Sequence, residues 1–255
     1  MYAEERQSAI VAWARELGRV SVADLAVRFG VTAETIRRDL DALAREGLLS
    51  RVHGGAVPPD KLPRGEASVG VREVAAQPEK LAIATRAVDL LPLGRELTVL
   101  LDSGTTTAKL CSLLPERVGT VFTNSVRIAG ALAERSGIEV FLLGGRVRGV
   151  TQAIVGAEAH AMLAKLRVDV AFMGTNGISV EHGFSTPDPA EAAMKEAMVR
   201  AARHVYVLAD STKFGSDEAV RFAALADVDG LVTDDRLAPG ARAVLEAAGL
   251  EVTLA

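Results

Sequence analysis

The sequence predicts two folds in one chain: a small N-terminal all-α winged helix-turn-helix, then a larger α/β domain with a mostly parallel sheet. Three observations predict this. Residues 1–57 carry three apolar helical stripes and a short Gly-punctuated run. The Pro-rich stretch from Val57 to Gly65 then interrupts the periodicity. Beyond it, short apolar runs alternate with helical segments, as parallel strands covered on both faces do. The expected divisions are 1–57 for the first domain, 58–75 for a linker and 76–255 for the second domain.

Glu4 to Leu17 places Ile10, Val11, Ala14 and Leu17 at helical spacing. Ser21 and Asp24 have the spacing of a capping box, with Asp in place of the usual Glu. Val22, Leu25, Ala26 and Phe29 follow at i, i+3, i+4 and i+7, and Gly30 ends that helix in the left-handed conformation glycine adopts at little cost. Thr32 restarts the chain as an N-cap, and Glu34 sits in the positive first turn. In the next helix Ile36, Leu40, Leu43 and Ala44 face a core, Arg38 and Arg45 lie opposite, and Thr35 and Arg37 flank them. Exposed Arg and Thr near the start of a helix backed by a core suit a DNA major groove. Leu48 to Val57 reads as a two-stranded wing, with Arg51 and His53 on the DNA backbone or minor groove. The candidate DNA-binding residues are Ser21, Thr32, Glu34, Thr35, Arg37, Arg38, Arg51, His53 and Gly54. A plain three-helix packing module with solvated arginines is the alternative. It leaves the agreement of stripe, caps, turn and wing without a cause.

Charge does not announce a nucleic-acid partner. Residues 1–58 hold eight basic and eight acidic residues, so the net charge of −4 lies wholly in the remainder. Attraction to phosphate must come from local placement of Arg28, Arg37, Arg38, Arg45 and Arg51, which implies modest affinity per module and a need for more than one copy. Cys111 is the sole cysteine, so no internal disulfide forms, and the four histidines make no ligand pattern; no metal or cofactor is expected. No run approaches the roughly 20 apolar residues that span a bilayer, so a cytoplasmic protein without membrane contact is expected.

In the second domain, Glu79 to Leu91 and Thr106 to Leu114 read as helices. Buried strands are expected at Leu97–Leu101, Thr120–Thr123, Glu139–Leu143, Val168–Met173, His204–Ala209 and Gly230–Val232. Ligands of such sheets bind beyond the carboxyl ends of the strands. There the chain places Asp102-Ser103-Gly104-Thr105-Thr106-Thr107, a Gly turn and hydroxyls before a helix, which is a phosphate cradle. Other strand ends deliver Asn124, then Gly144-Gly145-Arg146, then Gly174-Thr175-Asn176, then Lys213, with Glu191 and Lys195 on the helix after Pro189. Small, hydroxyl, amide and cationic groups in series suit a small polyhydroxylated anion.

These motifs together resemble the DeoR family of bacterial transcriptional regulators over nearly the full length. TIRRDL at 35–40 and HGGA at 53–56 resemble its DNA-binding signature, and DSGTTT, TNS, LLGGRVR, GTNG and ADSTK follow its sensor motifs in order. The resemblance implies a winged helix on double-stranded operator DNA and a sensor related to ribose-5-phosphate isomerase and CoA-transferase folds. It also implies a phosphorylated sugar effector, with fructose 1-phosphate, glycerol 3-phosphate and tagatose phosphates all open, and repression of sugar-utilisation genes. Such a relationship raises the question of turnover. On the isomerase pattern the enzyme's two aspartates fall near Met173 and Asn176 and its glutamate near Lys195, with only the late lysine kept, at Lys213. Thioether and amide cannot act as general bases, so binding without catalysis is expected. The alternatives are a sugar-phosphate isomerase-like enzyme with an appended DNA-binding module, and a sensor fold reduced to an oligomerisation platform.

A near-neutral module and a homo-oligomer, dimer or tetramer, make one prediction. Residues 1–58 alone should bind operator DNA far more weakly than the full chain, because linked modules raise one another's effective concentration. Sedimentation of the full chain beside a titration of the fragment checks this. A monomeric full chain that binds no better than the fragment contradicts it.

Overall fold

The computed structural model describes residues 3–17, 20–45, 48–52, 55–57 and 67–255. The chain divides into two compact units, residues 1–65 and 66–255.

The first unit contains α1 (Ala3–Leu17), β1 (Val20–Ser21), α2 (Val22–Phe29), α3 (Ala33–Arg45), β2 (Ser50–Val52) and β3 (Gly55–Val57). Ile10, Ala14, Val22, Leu25, Ile36, Leu40, Leu43 and Leu49 close one core. Leu17, expected on the α1 stripe, is the last residue of that helix and is exposed. The wing is a three-stranded antiparallel sheet in the order β1-β3-β2, one strand more than its sequence suggests. Gly30 caps α2 at φ 64°, donating to the Ala26 and Val27 carbonyls. Ser21 caps its start, accepting from the Asp24 N–H at 3.0 Å. The box is not reciprocal, because the Asp24 carboxylate accepts the Ser21 hydroxyl at 2.7 Å. Asp is one methylene shorter than the Glu that reaches the N-cap N–H in a full box.

The second unit opens with α4 (Val69–Val74) and α5 (Gln77–Val88). The stretch read as linker, 58–75, therefore holds a helix over its later part, while 58–66 lie outside the described residues. Then come β4 (Leu97–Leu101), β5 (Val118–Thr123), α6 (Val126–Ala133), β6 (Glu139–Leu142), β7 (Arg146–Val147), β8 (Ile154–Val155), α7 (Ala157–Leu163), β9 (Val168–Met173), β10 (Gly177–Ser179) and β11 (Gly183–Thr186). The unit closes with α8 (Pro189–Arg200), β12 (Ala202–Leu208), β13 (Val220–Ala223), β14 (Gly230–Thr233), α9 (Pro239–Ala247) and β15 (Glu251–Leu254).

Seven strands form one sheet in the order β15-β14-β12-β9-β4-β5-β6, every neighbouring pair parallel. Alternate residues serve two cores. Leu100, Ala171, Met173, Val205 and Val207 pack with Leu163, Met194, Met198 and Leu245 on one face. Val99, Leu101, Val170 and Phe172 pack with Ile83, Ala87, Ile128 and Leu132 on the other. From β4 the chain builds outward through β5 and β6, then crosses to β9 on the opposite side and continues to β15. The crevice beyond the carboxyl ends of β4 and β9 is thus the topological switch point, where ligands of open α/β sheets bind.

Two smaller sheets complete the unit, the antiparallel β10-β11-β13 and the β7-β8 hairpin. The helix expected over 106–114 is instead a six-residue 3-10 helix, Thr107–Ser112. The Thr107 hydroxyl, whose one proton lies between the Asp102 carboxylate at 2.7 Å and the Gly104 carbonyl at 2.8 Å, ties the start of this helix back to the loop.

Gly55 supplies a stability prediction. A Cβ there would lie 2.0 Å from the Val20 carbonyl oxygen, a backbone atom of the paired strand. Gly55→Ala should cost about 1–3 kcal/mol, the range of overpacking. Calorimetry of the full chain should show the loss in the first unit's transition and leave the second unit's transition in place.

Candidate functional site

On the first unit, α3 presents Glu34, Arg37 and Arg38 to solvent and Thr35 at its flank. Glu34 lies 3.6 Å from Arg37 and 3.5 Å from Arg38, exposed pairs of negligible net energy. Both arginines are therefore free to exchange that carboxylate for DNA phosphate or a base edge. Thr32 caps α3, accepting from the Thr35 N–H at 3.2 Å, and the two hydroxyls lie 2.9 Å apart. Ser21 is likewise engaged in its own cap. Arg51 belongs to β2, with its side chain outside the described residues, as are the Arg45 side chain and all of His53 and Gly54. The sequence reading missed Asp39, which is buried and held by Arg6.

On the second unit, the switch-point crevice is a cavity of about 280 Å³. Its wall includes Ser103, Gly104, Thr105 and Thr106 after β4, Gly174, Thr175 and Asn176 after β9, Glu191 and Lys195 on α8, and Lys213. Of the predicted residues, these ten meet there. Asp102 and Thr107 lie beneath the wall, fully buried, and build it. The Asp102 carboxylate accepts from Gly104 N at 2.8 Å, Thr107 Oγ1 at 2.7 Å, Gly174 N at 2.7 Å and the Lys195 ammonium. Burial pushes its pKa up, yet Lys195, Gly104 and Thr107 together bring it below the usual carboxylate value.

Four predicted residues do not line the cavity. Asn124 is buried and donates to the Ile154 carbonyl at 3.2 Å, tying β5 to the hairpin. Gly144, Gly145 and Arg146 form the exposed entry to that hairpin. Gly145 is required there by φ 141° and by the Val155 carbonyl, 2.8 Å from where a Cβ would sit. The helix after the cradle is a 3-10 helix of two turns, so its macrodipole adds little to the cradle's positive field.

Other cations take its place. Arg72, from α4, and Lys80, from α5, line the same cavity, with Asp210 and Thr212. Lys80 donates to the Arg72 and Ala75 carbonyls. Burial lowers its pKa, and the charges of Lys213, Arg72 and Lys109 lower it further against the opposing pull of Asp210. Arg72 Nε and Nη2 are buried and have no hydrogen-bond partner among the described residues. Ala76, in the cavity wall, is held at φ 51°, a left-handed conformation costly for alanine. The sequence carried a signal for Lys80, which occupies the i position of an apolar stripe continued by Ile83, Ala84 and Ala87. Arg72 was hidden in the stretch read as linker.

Glu191 is buried in the wall, where Oε1 accepts from Arg148 and from the Thr151 hydroxyl. Arg148 also reaches Asp188 at 3.0 Å. Cys111 is buried and burial pushes its thiol up to about 11, so it is an unreactive core residue. Among the described residues no group of His, Cys, Asp and Glu has metal-binding geometry, and no helix is long and apolar enough to cross a membrane.

Comparison with known proteins follows the same two units. A family model described as the DeoR-like helix-turn-helix domain matches residues 6–61, and one described as the DeoR C terminal sensor domain matches residues 75–235. The chain belongs to the DeoR family. This DeoR-family chain is 40% identical over 254 residues to the HTH-type transcriptional regulator GlpR of Haloferax volcanii, covering 99% of the chain and 98% of that protein. It is 30% identical to the glycerol-3-phosphate regulon repressor of Escherichia coli over 90% of each. A solved ribose 5-phosphate isomerase A from Methanocaldococcus jannaschii aligns over 55% of each chain at 18% identity and TM-score 0.39. The DeoR-family chain is a DNA-binding transcriptional regulator.

The Asp102–Lys195 pair makes a pH prediction. Asp102 has a folded pKa below its unfolded value of about 3.9. Its contribution is therefore complete above that value and is lost as pH falls through the folded pKa. Lys195→Met leaves the carboxylate buried without its cation, which should cost about 3–5 kcal/mol at neutral pH. The carboxylate's pKa then rises, so the variant's deficit against the parent should shrink on acidification. Melting curves from pH 8 to 4 check the sign; a deficit that grows in acid contradicts it.

Proposed function

We propose that this regulator is a repressor controlled by a phosphorylated sugar bound in the switch-point cavity. The observation that carries the reading is the half-buried Arg72 in the cavity wall, with two buried guanidinium nitrogens that have no hydrogen-bond partner among the described residues. Each buried orphan donor costs about 1–3 kcal/mol, and an anion in the cavity removes that cost. Arg72, Lys80 and Lys213 supply positive charge, and the Ser103–Thr106 segment supplies hydroxyls and backbone N–H groups. Asn176 and Glu191 line the same wall and suit the hydroxyls of a sugar. The names of the regulators similar to this chain, among them the glycerol-3-phosphate regulon repressor, agree with a phosphorylated polyol as effector. Asp102 and Thr107 would act by shaping the cradle, and Arg37, Arg38 and Thr35 would read operator DNA as part of a homo-oligomer.

The cavity favours binding over turnover. A general base must be free to take a proton. Glu191 is engaged by Arg148 and Thr151, Asp210 by Thr212, and Asp102 by four donors. Met173, at one of the positions where the resembling isomerases carry aspartate, is buried in the core.

Thermal-shift titration tests the reading. Glycerol 3-phosphate, fructose 1-phosphate and a tagatose phosphate form the panel, each beside its unphosphorylated parent. One phosphorylated member should raise the melting temperature and its parent should not. Arg72→Met should weaken that member by about tenfold or more, as expected for a lost charge-assisted bond of 1.5–3 kcal/mol. Equal stabilisation by the free sugar, or interconversion of aldose and ketose phosphates by the protein, contradicts the reading.

A further inference from the structure

Asp39 lies between Arg38 and Leu40 on α3 and is buried while Arg37 and Arg38 are exposed. It sits three residues after Ile36 and four before Leu43, so the apolar stripe of α3 contains a carboxylate. Arg6, on α1, grips it with a fork: Nε to Oδ2 at 2.6 Å and Nη2 to Oδ1 at 3.1 Å. Gln7 Nε2 adds a third donor to Oδ1 at 3.0 Å. Arg6 is buried as well.

Ile10 and Ala14 of α1 and Ile36, Leu40 and Leu43 of α3 share one apolar cluster. Apolar burial has no directional requirement. A guanidinium fork on a carboxylate has a strict one. A pair this deep adds little net stability over apolar side chains of the same volume. What it adds is a fixed rotation of α3 about its own axis. Successive residues of a helix turn by about 100°. A carboxylate pinned inward at position 39 therefore fixes where the side chains at 37 and 38 point.

We propose that Arg6 is a positioning residue for DNA recognition: through its fork on Asp39 it sets the rotation of α3 and so the direction in which Arg37 and Arg38 meet the base edges. Arg6 acts through Asp39 without touching DNA. The proposal rests on α3 being the recognition helix, and the experiment separates the two.

The experiment uses the full chain. A duplex enriched by the parent protein from a randomised pool is titrated beside a scrambled duplex of the same length. Arg6→Lys keeps the charge and loses the fork. It should lose about tenfold or more on the enriched duplex, with the scrambled duplex and the salt slope unchanged. The double variant Arg6→Met, Asp39→Leu replaces the pair by apolar side chains. It should melt at or above the parent temperature yet show the same loss of discrimination. A role in folding alone predicts an unchanged enriched-to-scrambled ratio in every variant that is folded at the assay temperature, and that result overturns the proposal. Equal loss on both duplexes overturns it too. Should the double variant not fold, the Arg6→Lys ratio decides. Arg37→Ala and Arg38→Ala serve as controls. If neither weakens the enriched duplex, the recognition-helix reading fails and the proposal falls with it.

Discussion

One carboxylate joins the two strand ends between which the sheet changes direction. Asp102 follows β4, yet it accepts from the backbone after β9 and from Lys195 on α8 as well as from its own loop. Three segments distant in sequence are thereby fixed to a common point. The glycines beside it follow from this. A Cβ on Gly104 would lie 2.9 Å from Asp102 Oδ1 and from Thr107 Oγ1. The DSGTTT run is thus less a set of ligand contacts than a frame with its contacts on the outside. Ser103, Thr105 and Thr106 face the cavity, and Asp102 and Thr107 hold the loop from behind.

Around that frame the charges are deliberately unbalanced. Lys195 is neutralised by Asp102 and Glu191 by Arg148, which leaves Arg72, Lys80 and Lys213 facing one wall with Asp210. Crowded cations, with two buried Arg72 nitrogens unpartnered among the described residues, are what the proposed anionic effector would balance, in keeping with perturbed groups gathering where binding occurs.

Much of this was legible in the sequence. Leu97–Leu101 and Val168–Met173 have the bounds expected from their apolar runs, because strands buried on both faces are apolar at nearly every position, here with only Thr98 and Asp169 as exceptions. The antiparallel β10-β11-β13 sheet was not legible. Gly177–Ser179 and Gly183–Thr186 are short and mixed in polarity, and the third strand, Val220–Ala223, reaches its partner β11 from far along the chain. In the site, the loop residues were found by their place at strand ends. Asn124 and the Gly144–Arg146 turn share that place but serve the hairpin instead, which no local pattern distinguishes. The instructive misses are Asp39 and Lys80. Each is a charged residue at the stripe position of an amphipathic helix, where apolar periodicity alone treats it as an interruption. A charge on a buried stripe needs a partner, and each has one, in Arg6 and in the α4 carbonyls.

Those carbonyls, of Arg72 and of the C-cap Ala75, close a helix of six residues, too short to persist on its own backbone bonds. α4 borrows its order from three neighbours: Lys80, the Glu73–Arg127 pair, and the Val69–Val150 backbone bond. It is also the first described helix after the segment that joins the two units, and it carries Arg72 into the cavity. An anion drawing Arg72 inward would therefore act on less than two turns of helix, whose order rests on Lys80, on Arg127 and on the Val150 carbonyl.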